Sequence, residues 1–379
     1  MPHIAYYITG HGLGHASRSI LVVKHLLERG CTVDVITTVQ ATFFEKQIDQ
    51  KFAQRLTIRD RILDGGAVQN GPLSVDGVST LERYQTIHLS RESLENGEIG
   101  YLKDSNIDIV ISDATPIACS AGRKAGCKVI ILSNFTWDWI YREILEEVKN
   151  QLSDEQAHQY GIMIDQCSAD YSFADIYLQL PGVAPLPMGF IAERMRVGPL
   201  LAGHAGSLRA SLRQSLGLSE EVHVLLLGFG GHQAQWRLKD SFLPDGWRCL
   251  VLGADEEDLP PGGRFQCLSF DCCVPDLVQA ADAVLGKLGY GFMSECLSNG
   301  TPLVYVPRSC WPEEACLRVF METCGACVLM HPQDFAEGRW AHSLASALEI
   351  KARMVNEQCS MKDINAVGKI VDTALSLLN

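Results

Sequence analysis

The 379-residue chain is 47% hydrophobic and 20% charged, enough apolar material for two domains of ordinary size, each with its own core. Its 45 acidic residues against 32 basic ones leave a net charge of −13, which excludes the broad cationic surface that grips nucleic acid by displacing counterions, while leaving room for one small basic cleft around a phosphate. The 14 cysteines are scattered through apolar segments and do not form the framework of a small secreted scaffold; "CGAC" (Cys324, Cys327) has no second Cys/His pair at zinc spacing, so two small packed residues are its plainer reading.

In chain order, "HIAYYIT" (3–9) reads as a buried strand, and "SRSILVVKHLLERG" (17–30) as a helix with Ile20, Val23 and Leu27 on one face and Gly30 as its stop. The strands "TVDVITT" (32–38), "IDIVISD" (107–113), "KVIILSN" (128–134) and "IYLQLP" (176–181) follow. A stretch dense in proline and glycine, "LPGVAPLPMGF" (180–190) followed by "MRVGPLL" (195–201), reads as a linker. The pattern then restarts with "VHVLLLGFGG" (222–231), "WRCLVLG" (247–253), "RFQCLSF" (264–270), "ADAVLG" (281–286) and "TPLVYVP" (301–307). Apolar runs alternating with amphipathic helices imply an α/β protein of two doubly wound, Rossmann-like parallel-sheet domains facing a cleft. The expected domains are 1–194 and 195–361, with a last helix, 362–379, crossing back to the first. The chain opens "MPHIAYYITG" without the cationic segment of a secretory signal, and no apolar run reaches about 18 residues. The expectation is a cytoplasmic protein with no transmembrane segment.

Three glycine-rich loops fall at strand ends, where doubly wound sheets bind ligands: Gly10, Gly12 and Gly14; Gly228, Gly230 and Gly231; and "GKLGYGFMSE" (286–295), where Gly289 and Gly291 lead into a helix carrying Glu295. Glycine lets backbone approach a ligand, and a helix N-terminus favours an anion. The first loop is spaced G-x-G-x-G and its next strand ends in threonines, which departs from a dinucleotide fingerprint; no G-x-x-x-x-G-K-[ST] occurs. His11 and His15 sit in that loop. Each is either a turn-capping group or a functional imidazole, and His15, at the helix start, is placed to take a proton from a hydroxyl. Asp113, at a neighbouring strand end, is the candidate to orient it, with helix capping as the alternative. In "NFTWDWIY" (134–141), Trp137 and Trp139 would either stack on an acceptor or pack in the core, and Asp138 would bind a hydroxyl.

"GHGLGHASR", "ISDATPIA", "NFTWDWIY" and "GKLGYGFMSECLSNGTPLVYVPR" resemble the N-terminal, glycosyltransferase-like half of plant-type L-arabinokinases and, more loosely, the GT-B glycosyltransferases. The kinase half of that family, with its P-x-G-x-G-L-S-S-S-like stretch, has no counterpart here. The GT-B resemblance implies a nucleotide-sugar donor, UDP-linked by analogy, held mainly by the second domain, and an acceptor of unknown identity held by the first. It implies His15 as general base oriented by Asp113, with inversion at the sugar. Gly12, Gly14, Gly228, Gly230, Gly231, Gly289, Tyr290 and Gly291 would border the diphosphate. Lys287 and Arg308 would supply charge, Glu295 would hold the ribose, Phe270 and Asp271 would border the base, and Glu313 and Glu314 would hold the donor sugar's hydroxyls. His11, Trp137 and Asp138 would lie on the acceptor side. No cofactor and no metal are implied, since helix dipoles and amides can stabilise the leaving diphosphate. Two other readings keep the fold: a non-catalytic nucleotide-sugar-binding or regulatory module, and a nucleotide-sugar epimerase or hydrolase.

Overall fold

A computed structural model describes residues 1–187, 189–190, 192–230, 237–269, 272–356 and 366–378. In chain order the strands are β1 (His3–Ile8), β2 (Thr32–Thr37), β3 (Leu56–Asp60), β4 (Val68–Gln69), β5 (Val75–Asp76), β6 (Ile109–Asp113), β7 (Lys128–Ser133), β8 (Ile176–Gln179), β9 (Met195–Val197), β10 (His223–Gly228), β11 (Trp247–Leu252), β12 (Phe265–Leu268), β13 (Ala283–Gly286), β14 (Leu303–Tyr305) and β15 (Cys327–Leu329). They build a seven-stranded parallel sheet, ordered β3-β2-β1-β6-β7-β8-β9, and a six-stranded parallel sheet, ordered β12-β11-β10-β13-β14-β15. The strands β4 and β5 form a small antiparallel pair. These are the two Rossmann-like domains expected.

Strands such as β1 read as unbroken apolar runs because both sheet faces are covered. Ile4, Tyr6 and Ile8 pack on one face with Val23 and Leu26 of helix Leu13–Glu28. Ala5 and Tyr7 pack on the other with Val110 and Ile131. The first cluster runs on into the second domain through Leu226, Val284 and Met293, so one apolar core joins the two halves. The final helix, Ala366–Ser376, packs on helix Leu13–Glu28 of the first domain.

Strand order reverses beside β1 in the first sheet and beside β10 in the second. At such switch points the loops diverge and leave a crevice. Ile8 pairs with Asp113 across one switch point, and Gly228 pairs with Gly286 across the other. A Cβ on Gly286 would lie 2.1 Å from the Gly228 carbonyl oxygen, so the second crevice requires glycine there.

Two boundaries differ from the sequence reading. The first helix starts at Leu13, four residues before the apolar periodicity begins, so His15 lies in its first turn. The stretch read as a linker contains β9, which pairs with β8 at the edge of the first sheet, Met195 opposite Tyr177.

Candidate functional site

The two crevices open into one cleft of about 530 Å³, bordered by Gly12, Gly14, His15 and Arg18 from the first domain and by Gly230, Lys287, Gly289, Tyr290, Gly291, Glu295, Arg308 and Glu313 from the second. Two helices aim their N-termini at it, Leu13–Glu28 and Tyr290–Asn299, capped by Gly12 and Gly289. Gly12 needs its φ of 75° to turn the chain from strand to helix. A Cβ on Gly291 would lie 4.0 Å from the Gly14 Cα, so the two helix starts nearly meet. Their dipoles converge on one volume, an arrangement that favours an anion.

On the first-domain wall, His15 Nδ1 lies 3.0 Å from Asp113 Oδ2. Asp113 is fully buried and also accepts from Arg18 Nε at 3.2 Å, from Arg18 Nη2 at 2.5 Å and from Ser19 Oγ at 3.2 Å. Burial alone would raise this carboxyl, but the Arg18 guanidinium and His15 beside it hold it well below the usual carboxylate range. Arg18 reaches further, donating to Ser133 Oγ at 3.0 Å and to Asn134 Oδ1 at 2.6 Å, and its guanidinium sits 4.7 Å from the centre of the Tyr290 ring in the other domain. The residue after Asp113, Ala114, has a left-handed φ of 64°, held by a hydrogen bond from Tyr171 to its carbonyl at 2.6 Å. Backbone strain of this kind marks a position that the surrounding structure over-determines.

The second-domain wall is different. Lys287 makes no hydrogen bond or ion pair among the described residues; burial, then the neighbouring Arg308, brings it down to about 7. Glu295 is 8% exposed and its carboxyl has no protein partner among the described residues; burial pushes it up to about 8. Arg308, by contrast, is clamped: its Nε donates to Glu314 Oε2 at 3.0 Å, its backbone N–H to Glu314 Oε1 at 3.0 Å, and its Nη2 to the Leu288 carbonyl at 2.7 Å. Glu313 accepts from Asn134 Nδ2 and from Trp311 Nε1, each at 2.8 Å. Among the described residues no group of three or more His, Cys, Asp or Glu side chains is arranged to hold a metal ion.

The predicted residues therefore separate. His15, Asp113, Lys287, Glu295, Arg308 and Glu313 come together around the cleft, while Gly231, Phe270 and Asp271 lie outside the described residues. Gly228 ends β10 beneath the cleft without bordering it, packed by Leu252 and Phe292. Glu314 does not border the cleft; both its oxygens are taken by Arg308. Trp137 is not an acceptor platform: it is fully buried, stacked on Tyr141 at 5.2 Å. Asp138 is buried too, accepting from Ser168 Oγ at 2.6 Å, and borders neither cavity. His11 lies between the cleft and a second cavity in the first domain, with Trp311 at 5.4 Å and Trp137 at 5.7 Å between ring centres. The sequence reading missed Arg18, Asn134 and Trp311. Only Arg18 left a usable trace, three residues after His15 on the same helix, where i and i+3 share a face.

No family model matches the sequence. The chain is 38% identical over 349 residues, 92% of its length, to L-arabinokinase of Arabidopsis thaliana, and spans 32% of that protein. Among solved structures it is similar to the glycosyltransferase of kitacinnamycin (TM-score 0.67, 14% identity, 98% of each chain). It is also similar to a UDP-glucosyltransferase of Polygonum tinctorium (TM-score 0.62, 15% identity, 98% of each chain). A third is MurG of Acinetobacter baumannii (TM-score 0.54, 14% identity, 99% of this chain and 100% of that one). The chain thus has the GT-B glycosyltransferase fold and is related, over nearly its whole length, to about a third of an L-arabinokinase.

Proposed function

We propose that the chain is a glycosyltransferase that moves a sugar from a nucleoside diphosphate, UDP by analogy with its structural neighbours, to an acceptor hydroxyl. The observation that carries this reading is the pairing across one cleft of an oriented imidazole with a half-buried lysine and a buried glutamate, Lys287 and Glu295, neither of which has a hydrogen-bond partner for its charged group among the described residues. Arg18 Nη2 has two protons, and Asp113 Oδ1 and Ser133 Oγ accept them. Nδ1 of His15 lies 3.0 Å from Asp113 Oδ2 and 2.9 Å from Arg18 Nη2; with both Nη2 protons directed to Asp113 Oδ1 and Ser133 Oγ, Nδ1 would carry its own proton and donate it to Asp113 Oδ2. Nε2 is left with its lone pair and no partner among the described residues, which is the state a general base needs. Removing the acceptor proton there fits single displacement with inversion.

The leaving diphosphate would sit where the two helix starts converge, with Lys287 as its mobile cation and Arg308 as a fixed one. Glu295 would take the ribose hydroxyls that its empty carboxyl is placed to accept, and Glu313 would hold the donor sugar. Charge developing on the diphosphate would be met by helix N-termini and cations already in position, without a metal ion. The test is release of nucleoside diphosphate from a panel of UDP- and dTDP-sugars with mixed acceptors. His15→Ala is expected to lower turnover by about 10²-fold or more with UDP binding intact. Equal turnover in the variant would overturn the assignment of the base, and full turnover without any acceptor would favour the hydrolase or epimerase reading.

A further inference from the structure

A second cavity of about 390 Å³ opens in the first domain behind the Gly10–Gly12 loop. It shares His11 and Gly12 with the cleft, so a molecule filling it can reach past that wall toward His15. Its size is at the small end of ligand sites, which run from about 300 to 1,000 Å³. Its walls carry chemistry that nothing above uses. Asp64 accepts from Thr9 Oγ1 at 3.1 Å and from Thr115 Oγ1 at 3.2 Å. A carboxylate has about four acceptor positions, so two stay open. Gln69 contacts His11 Nε2 through its amide nitrogen at 3.1 Å, while its buried Oε1 has no partner. Arg83 forms no hydrogen bond or ion pair among the described residues, and Arg61 lies 3.8 Å from Glu98 with its side chain 55% exposed.

We propose that this cavity receives a small polyhydroxylated molecule bearing an anionic group, its hydroxyls on Asp64 and Gln69 and its charge on Arg83 and Arg61. That this molecule is the sugar acceptor rests on the transferase reading above; that it binds here does not. A flat apolar molecule would strip water from Asp64 and Gln69 without replacing its hydrogen bonds, which is costly. A neutral polyol would satisfy those two and leave the guanidiniums unanswered. An anionic polyol answers both ends. Burial, opposed by the two threonine hydroxyls, pushes Asp64 up to about 6, so near neutral pH it remains an acceptor for hydroxyl protons.

The test is calorimetric titration of the full chain with D-gluconate and D-glucose 6-phosphate, with myo-inositol as neutral polyol and 4-nitrophenol as flat aromatic. The anionic polyols are expected to bind at least about tenfold tighter than myo-inositol. Arg83→Ala, a surface change, should abolish that preference, and Asp64→Asn should weaken every polyol. Equal binding of gluconate and myo-inositol, tighter binding of 4-nitrophenol, or no polyol binding at all would overturn the proposal. Anionic polyols that bind here and never receive sugar would leave this inference standing and remove the transferase reading; sugar transfer to the aromatic with no polyol bound would do the reverse.

Discussion

The two walls of the cleft handle charge in opposite ways. On the first-domain wall Asp113 and Arg18 are answered from within the protein: Asp113 takes four donated hydrogen bonds, three of them from charged or chargeable partners. On the second-domain wall Lys287 and Glu295 are desolvated and unanswered, and both are displaced toward their neutral forms. The first arrangement holds an imidazole in one orientation whether or not a ligand is present. The second stores a cost that a diphosphate and a ribose would relieve. On the function proposed above, the contrast would put positioning in one domain and recognition in the other.

The most forceful way to break this contrast is to disarm the satisfied wall. Asp113→Ala leaves Arg18 buried without its counter-charge, and urea unfolding should show a loss of about 3–5 kcal/mol. Adding Arg18→Met should restore a large part of it; a loss under about 1 kcal/mol in the single variant would mean that the pair is far better hydrated than its burial indicates. Next comes Gly286→Ala, whose Cβ meets the Gly228 carbonyl at 2.1 Å. Backbone cannot yield as a side chain does, and a destabilisation of about 1–3 kcal/mol is expected from the same denaturation curve.

On the unanswered wall the expected signature is dependence on pH. Lys287 falls from an ordinary 10.5 to about 7, so the unliganded protein loses its charge as pH rises above that value. An anion binds the charged form, and UDP affinity should drop by up to about tenfold per pH unit between pH 7.5 and 9, a trend that Lys287→Met removes. Glu295 runs the other way for stability. Its folded value of about 8 lies above the ordinary 4.5, so the native state holds the extra proton between those values. Stability should decline as pH climbs through that window, and Glu295→Gln should flatten the decline. The smallest effect belongs to the exposed pair Arg29–Asp372 at 2.5 Å, between the first domain and the last helix: Asp372→Asn should change stability by less than about 1 kcal/mol in thermal melts and still less in high salt.

The fold was largely legible because parallel strands covered on both faces leave long apolar runs, as in β1, β6, β7 and β10. What escaped were edges. The strand β3, "LTIRD", is half-exposed and mixed in polarity, and β9 and β15 have three residues each. The start of the first helix was hidden by Gly12 and Gly14, poor helix formers that read as loop. In the candidate site, His15 and Asp113 were legible because strand ends at a switch point converge. Trp137 misled because an aromatic at a strand end reads the same whether it faces a cleft or a core; it begins helix Trp137–Val148, whose apolar face turns inward. Arg18 was passed over within the helix read over 17–30, since its i+3 spacing from His15 says nothing of the buried carboxylate that both side chains meet.

The most direct test of the division between walls is the thermal stability of the protein with UDP and UDP-sugars, wild type beside Glu295→Ala and His15→Ala. A ligand at about 100 times its Kd adds roughly 2.7 kcal/mol to the native state. The account predicts a clear upward shift in Tm for wild type and for His15→Ala, and its loss in Glu295→Ala. A shift that survives in Glu295→Ala and vanishes in His15→Ala, or no shift with any nucleotide, would contradict it.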